Sequence, residues 1–359
     1  MSVQSFILEA VDRWDNLFRS SEEKKLFPDK GVSLRLDLTD YCIGCDHCYA
    51  DGSPNGNLIT DQELDKVILT VLGLTGRYDN ESFDVMHNIH LGRTDVLYPG
   101  TEDELFEKVT KLLGAMKQEG ITNTRFILYS SGKLLQSHEG KFRNMVADYL
   151  DLFKDFFGST IDVVTNIDFL ITTDDTFHSK KLSRSYAIEA DEIFRKERIA
   201  LTGATTHIPM SNAYLPGGYG QIGIFAATKR AQAYVDKNNF PVIPTCNITG
   251  VQYKIRPKNT GSSMSGRLHT LTLTKDGYVN LCCVGLSPIA ETGADTYNQI
   301  RKNLKHNGAL RSLLRRGPMG VVEFINDESL KSQAVVAHSR YGPCGICSLT
   351  KDYMRNSII

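Results

Sequence analysis

The stretch VSLRLDLTDYCIGCDHCYA, residues 32–50, decides how this chain is read. Val32 to Leu38 alternates apolar and polar residues, the period-two pattern of a half-buried strand, and it runs directly into three cysteines. Ten residues further on, Thr60 and Glu63 have the spacing of a capping box. They stand ahead of Leu64, Val67, Ile68, Val71 and Leu72, whose period predicts a helix. Strand, cysteine-bearing loop, helix is the opening unit of an α/β array.

The alternation continues outward from that unit. Strands are expected at 86–92, 124–131, 160–168, 199–208 and 241–248. The helices expected between them are 103–117, 141–153, 183–195 and 226–237. Upstream, Ile7, Val11, Trp14 and Phe18 lie on one face of an amphipathic helix, and residues 1–31 read as a helix and linker. Six strands alternating with helices predict a parallel βα array over 32–256, an open sheet or a partial barrel, with its active face at the strands' C-terminal ends. From 257 to 359 the pattern changes. GRLHTLTLTKDGYVNLCCV predicts a hairpin with Lys275-Asp276-Gly277 at its turn, a short helix follows near 309–315, and a loop carries Gly342-Pro-Cys-Gly-Ile-Cys347. This is expected to be a smaller α+β domain.

Composition bounds the function. Of 359 residues, 41% are hydrophobic and 23% charged, which suits a folded globule, and 41 basic against 42 acidic side chains leave a net charge of -1. That balance offers no electrostatic basis for a nucleic-acid or anionic-membrane partner. No stretch has the length of an apolar membrane span, and the first residues carry acids where a secretion signal has a basic segment, so a cytoplasmic protein is expected. In that setting the eight cysteines point to metal ligation or redox chemistry instead of disulfides.

Cys42, Cys45 and Cys48 place three thiols within seven residues, the spacing by which a tight loop wraps one face of an iron-sulfur cluster. A four-iron cube takes four ligands. Positions 52 and 53 are Gly and Ser, and the next cysteine is Cys246, so one iron stays open. A zinc site using His47 or a distant cysteine is the alternative, although three thiols in one short loop strain a tetrahedron.

A strand ending in Cys-x-x-Cys-x-x-Cys-Tyr-Ala and opening a six-fold βα array resembles the radical S-adenosylmethionine superfamily. Its first spacer here is two residues, where that family usually has three. The resemblance implies a partial (β/α)6 barrel and a 4Fe-4S cluster whose open iron is chelated by S-adenosyl-L-methionine. It also implies a flavodoxin or ferredoxin reductant, and a 5'-deoxyadenosyl radical that abstracts a substrate hydrogen. The same resemblance nominates cofactor contacts. Tyr49 follows the third cysteine. Gly92, Arg93 and Asp95 stand where the family has Gly-Gly-Glu-Pro. Ser130 and Ser131 end the third strand, Asn166 and Asp168 the fourth. Arg184 completes an Asp168, His178, Arg184 run in which the arginine would pair with the cofactor carboxylate. Ser and Asn at such ends are also ordinary turn formers.

Gly277 to Cys282, followed by Cys344 and Cys347, resembles the SPASM or twitch extensions of such enzymes, which hold an auxiliary cluster. The resemblance implies a second 4Fe-4S cluster, with Cys246 or Cys283 as its fourth ligand or with one iron left open. A zinc ribbon of Cys282, Cys283, Cys344 and Cys347 is the alternative. Seven ligands leave one thiol of Cys246 and Cys283 over, a candidate hydrogen-atom donor or a buried structural cysteine.

The expected function is therefore a radical enzyme. The auxiliary-cluster branch implies a ribosomally synthesised peptide as substrate, either brought by a separate leader-binding partner protein or docking directly, because only about 30 residues precede the first strand. The glycine-rich loops 217–223 and 259–266 would rim the barrel mouth and admit a neutral extended segment. Gly218 to Gly223 spells a dinucleotide fingerprint without the acid that should follow it, so that reading is set aside. A sugar or aminocyclitol dehydrogenase or isomerase, and a zinc-stapled protein-binding module, are the competing expectations.

Overall fold

The computed structural model describes residues 23, 26–27, 31–45, 48, 50–78, 85–171, 184–202, 226–242, 270–282 and 285–358. The chain is α/β. In order it forms β1 (Ser33–Leu36), α1 (Asp61–Thr75), β2 (His87–Leu91), α2 (Glu102–Gln118), β3 (Thr124–Ser130), α3 (Lys133–Ser137), α4 (Glu139–Phe157), α5 (Thr160–Asn166), β4 (Ile167–Ile171), α6 (Arg184–Thr202) and α7 (Lys229–Asn238). Then come β5 (Thr270–Thr274), β6 (Tyr278–Asn280), β7 (Pro288–Glu291), α8 (Thr296–His306), α9 (Gly308–Arg316), α10 (Met319–Val322) and α11 (Glu328–Asn356).

The strands form one seven-stranded sheet in the order β4-β3-β2-β1-β5-β6-β7. β1 to β4 are parallel to their neighbours, β5 joins β1 in parallel, and β6 and β7 return antiparallel. The hairpin expected to begin a second domain thus continues the main sheet, with Leu34 opposite both Ile89 and Leu271.

Side chains alternate across these strands. Leu34, Leu36, Ile89, Leu91, Phe126, Leu128, Ile167, Phe169, Leu271 and Leu273 share one apolar cluster with Leu64, Val67, Leu105, Leu112, Phe142 and Phe153 of the helices. The opposite face carries Ser33, Arg35, His90, Arg125, Tyr129, Asp168, Thr272 and Asn280. β1 was expected to be half-buried, yet all four of its residues are buried, Arg35 included, because this central strand is covered on both faces; His90, Arg125 and Tyr129 on the neighbouring strands stay half-buried.

α1 begins as its capping box requires. Thr60 N–H donates to Glu63 Oε2 at 2.8 Å and Glu63 N–H to Thr60 Oγ1 at 3.3 Å. Three local expectations are corrected. Residues 160–166 are helical and the strand starts only at Ile167, because pairing of 167–171 with β3 overrides the β-branched composition just before it. Ile199 to Thr202 continue α6, since nothing in RKERIALT breaks a helix before Gly203. The segment 342–347 is not a loop. It lies in α11, kinked where Gly342 takes φ 66° and ψ -161° ahead of Pro343. The expected N-terminal helix, the strand remainders 203–208 and 243–248, and the loops 217–223 and 259–266 lie outside the described residues.

Candidate functional site

Beyond β1 the chain makes a closed loop whose two arms are stitched together. Ile59 N–H donates to Leu38 O at 2.9 Å, Asp40 N–H to Asn57 O at 3.0 Å, Ser53 N–H to Asp40 O at 2.9 Å and Cys42 N–H to Ser53 O at 3.0 Å. The arms approach so closely that a Cβ on Gly56 would stand 2.5 Å from the Asp40 carbonyl carbon, and one on Gly52 2.7 Å from Cys42 Cβ. Within this loop Cys42, Cys45 and Cys48 pack with Ile43 and Tyr186. Gly52 N–H donates to Cys48 Sγ at 3.3 Å. Burial pushes the Cys42 thiol well up, and the nearby Asp95 adds to that; burial also raises Cys48.

The loop after β2 is fastened to this one. Gly92 has φ 108°, and a Cβ there would meet Val96 Cγ1 at 2.9 Å. Arg93 Nη2 donates to Asp37 Oδ2 at 2.5 Å. Thr94 Oγ1 donates to Thr39 O at 2.6 Å, and Asp95 N–H to Tyr41 O at 3.2 Å. The Asp95 carboxylate is buried, accepts from Ser131 Oγ and from Leu97 N–H, and burial raises its pKa. Ser130 and Ser131 also hold their own turn, accepting from the N–H groups of Gly132 and Lys133 at 3.0 and 3.2 Å.

The cysteine loop and the loops after β2 and β3 therefore meet at one edge of the sheet, which carries its polar side chains on the face opposite the apolar cluster. On that face Tyr129 OH accepts from Arg35 Nη2 at 3.1 Å and lies 2.7 Å from His90 Nδ1, while Arg125 Nε donates to Asp168 Oδ2 at 2.6 Å. His90 is held neutral, well below its ordinary pKa, first by burial and then by Arg35 and Arg125. Arg198 of α6 interacts with Asp168 and Arg125. Asp168 thus sits inside β4 and not at its end, and Asn166 is the last residue of α5.

The second cysteine group comes to the same neighbourhood. Thr272 Oγ1 donates to Cys282 O at 2.7 Å, and Gly285 N–H donates to Cys282 O at 3.0 Å, closing the turn after β6. Leu281 N–H donates to Ser287 O at 2.8 Å, and Ser287 Oγ donates to Cys347 Sγ at 3.4 Å, so one serine connects that turn to α11. Cys344 and Cys347 stand one helical turn apart beyond the Gly342 kink. Gly285 abuts the first site, since a Cβ there would lie 3.0 Å from Arg93 Nη1. Lys351 of α11 is lowered by burial and then by Arg93. The Asp37–Arg93 pair accordingly lies between the two cysteine groups.

Among the described residues, no three His, Cys, Asp or Glu side chains gather tightly enough to hold a single metal ion. A four-iron cube presents separate corners, and its thiolates stand apart instead of converging on one point. The Cys42 to Cys48 loop fits such a group: three thiols on one short loop, with a backbone donor already turned to a sulfur. Of the sequence candidates, Tyr49, Cys246 and Cys283 lie outside the described residues, as do His47, His178 and the side chain of Arg184.

The chain matches no protein-family model, and no curated protein matches it. No helix among the described residues is long and apolar enough to cross a membrane.

Sequence reasoning did not single out Arg35, Asp37, His90, Arg125 or Tyr129. Their signal was present in the alternation of β1 to β3, which marks one face as polar without saying how far each of its residues is covered. Ser287 carried no local signal for its bond to Cys347, which lies 60 residues away.

Proposed function

We propose that this chain is a radical S-adenosylmethionine enzyme built on a partial (β/α)6 barrel, with its chemistry over the polar face of the sheet. The observation that carries the reading is the closed loop of Cys42, Cys45 and Cys48 at the C-terminal edge of a parallel sheet, docked against Gly92 to Asp95. Cys42, Cys45 and Cys48 would hold a four-iron cluster, which together with S-adenosyl-L-methionine would supply a radical strong enough to abstract hydrogen from carbon.

The protein's own residues have definable parts. Gly92, at φ 108°, makes the turn after β2, and Asp95, fixed by Ser131 and Leu97 N–H, holds that turn against the cysteine loop. Arg35, His90, Tyr129, Arg125 and Asp168 line the floor with fixed donors and acceptors that orient a substrate. Cys282, Cys344 and Cys347 hold a second metal group, an auxiliary 4Fe-4S cluster or zinc. The substrate is a ribosomally synthesised peptide brought by a leader-binding partner, with electrons from flavodoxin or ferredoxin.

The test is 5'-deoxyadenosine formation by anaerobically reconstituted protein with dithionite. Wild type should form it, and the C42A/C45A/C48A variant should form none; equal formation by both would overturn the reading. A mass shift in a peptide encoded beside the gene supports the peptide class, whereas turnover of a sugar or aminocyclitol alone would replace it. A colourless, zinc-loaded protein would favour the binding module.

A further inference from the structure

Two side chains of α7 grip the cysteine loop from 180 residues away in sequence. Thr228 caps the helix, its hydroxyl accepting from Ala231 N–H at 3.1 Å, and the same hydroxyl donates to Cys48 O at 2.9 Å. Arg230 reaches further. Its Nη1 donates to Gly52 O at 3.0 Å, and its Nη2 to Asp51 O at 3.3 Å and Asp51 Oδ1 at 2.7 Å.

The bond to Asp51 O matters most. Asp51 has φ 58°, a left-handed conformation that costs energy for a residue with a Cβ, and this turn aims the next N–H inward. The peptide between Asp51 and Gly52 thus offers its carbonyl to the Arg230 guanidinium and its N–H to Cys48 Sγ, at 3.3 Å. A cation on the carbonyl end polarises that peptide and strengthens the N–H···S bond at the other end. Hydrogen bonds and positive charge near a ligand sulfur raise a cluster's reduction potential.

Resting on the reading above, we infer that Arg230 is a positioning residue: through the Asp51–Gly52 peptide it fixes the loop around Cys48 and sets the ease with which the metal group there accepts an electron. Thr228 shares the mechanical role but, being neutral, not the electrical one.

The experiment uses the full chain, reconstituted anaerobically, as wild type, R230Q, R230K and T228V, with circular dichroism to verify folding. Two quantities are read: the midpoint potential of the cluster, followed by electron paramagnetic resonance, and the rate of iron loss to a chelator. R230Q should shift the potential lower and release iron about 10–100-fold faster, the range for removing an outer partner of a metal ligand. T228V should release iron faster with the potential unchanged, a separation that a purely structural role for Arg230 would not produce. R230K should keep the potential near wild type while speeding release, since an ammonium cannot span both carbonyls.

Wild-type potential and release in R230Q would overturn the inference while leaving the radical reading intact. If R230Q does not fold, R230K decides: unchanged release overturns the inference. Wild-type protein that takes up no iron overturns both.

Discussion

Arg93, just past the end of β2, donates to the carboxylate of Asp37, just past the end of β1, across 2.5 Å, with both side chains at most 10% exposed. Removing one member strands the other's charge away from water. Asp37→Ala and Arg93→Ala should each cost about 3–5 kcal/mol, while Asp37→Leu with Arg93→Met should cost much less than the two single changes together. Urea unfolding of the three variants checks this. An Asp37→Ala protein as stable as wild type would show that the pair contributes only position.

The turn carrying Cys282 bears on the same arginine through Gly285. That residue has φ 73°, and a Cβ would meet Arg93 Nη1 and Thr274 Cγ2, both at 3.0 Å. Gly285→Ala should therefore destabilise by about 1–3 kcal/mol, from the backbone conformation and from displacement of Arg93. Combined with Arg93→Ala, the cost should be less than additive, which a double-mutant cycle measures.

His87 gives a pH dependence. It is fully buried, its Nε2 has no hydrogen-bond partner among the described residues, and burial lowers its pKa to about 4 from 6.5. The folded state thus binds the proton less readily than the unfolded state. The contribution is fully present above pH 6.5 and declines as pH falls towards about 4, reaching a loss of about 3 kcal/mol. Urea unfolding between pH 7 and 4 should show that slope in wild type and a shallower one in His87→Leu. Parallel curves would assign the acid sensitivity elsewhere.

Metal content separates the two candidate centres. If both are four-iron clusters, reconstituted protein should hold about eight irons, and the C282A/C344A/C347A variant about four. About four irons with one zinc in wild type, and no zinc in that variant, would make the C-terminal site a zinc ribbon.

The parts legible in the sequence were those whose cause is local. Thr60 and Glu63 announce α1 because a capping box needs only its own turn, and Lys275-Asp276-Gly277 announces the β5–β6 turn because Gly277 can take φ 86°. The helical state of Cys344 and Cys347 was hidden because Gly342 and Pro343 read as a loop, whereas here they kink a helix and begin its second half. The burial of Arg35 was hidden for a different reason. An alternating strand reports which residues share a face, and only the remote partners, Tyr129 among them, determine whether that face meets water.

β1 has β2 on one side and β5 on the other, and the Ser33 hydroxyl lies 3.2 Å from that of Thr270, 237 residues later. On a ribosome adding about 5–20 residues per second, the strand that precedes the first three cysteines waits roughly 10–50 s for that neighbour to be made. Until then its free edge and the thiols beyond it stand open to other chains and to oxidants. Assembly of the loop at Cys42 is thereby tied to the emergence of the chain's last third.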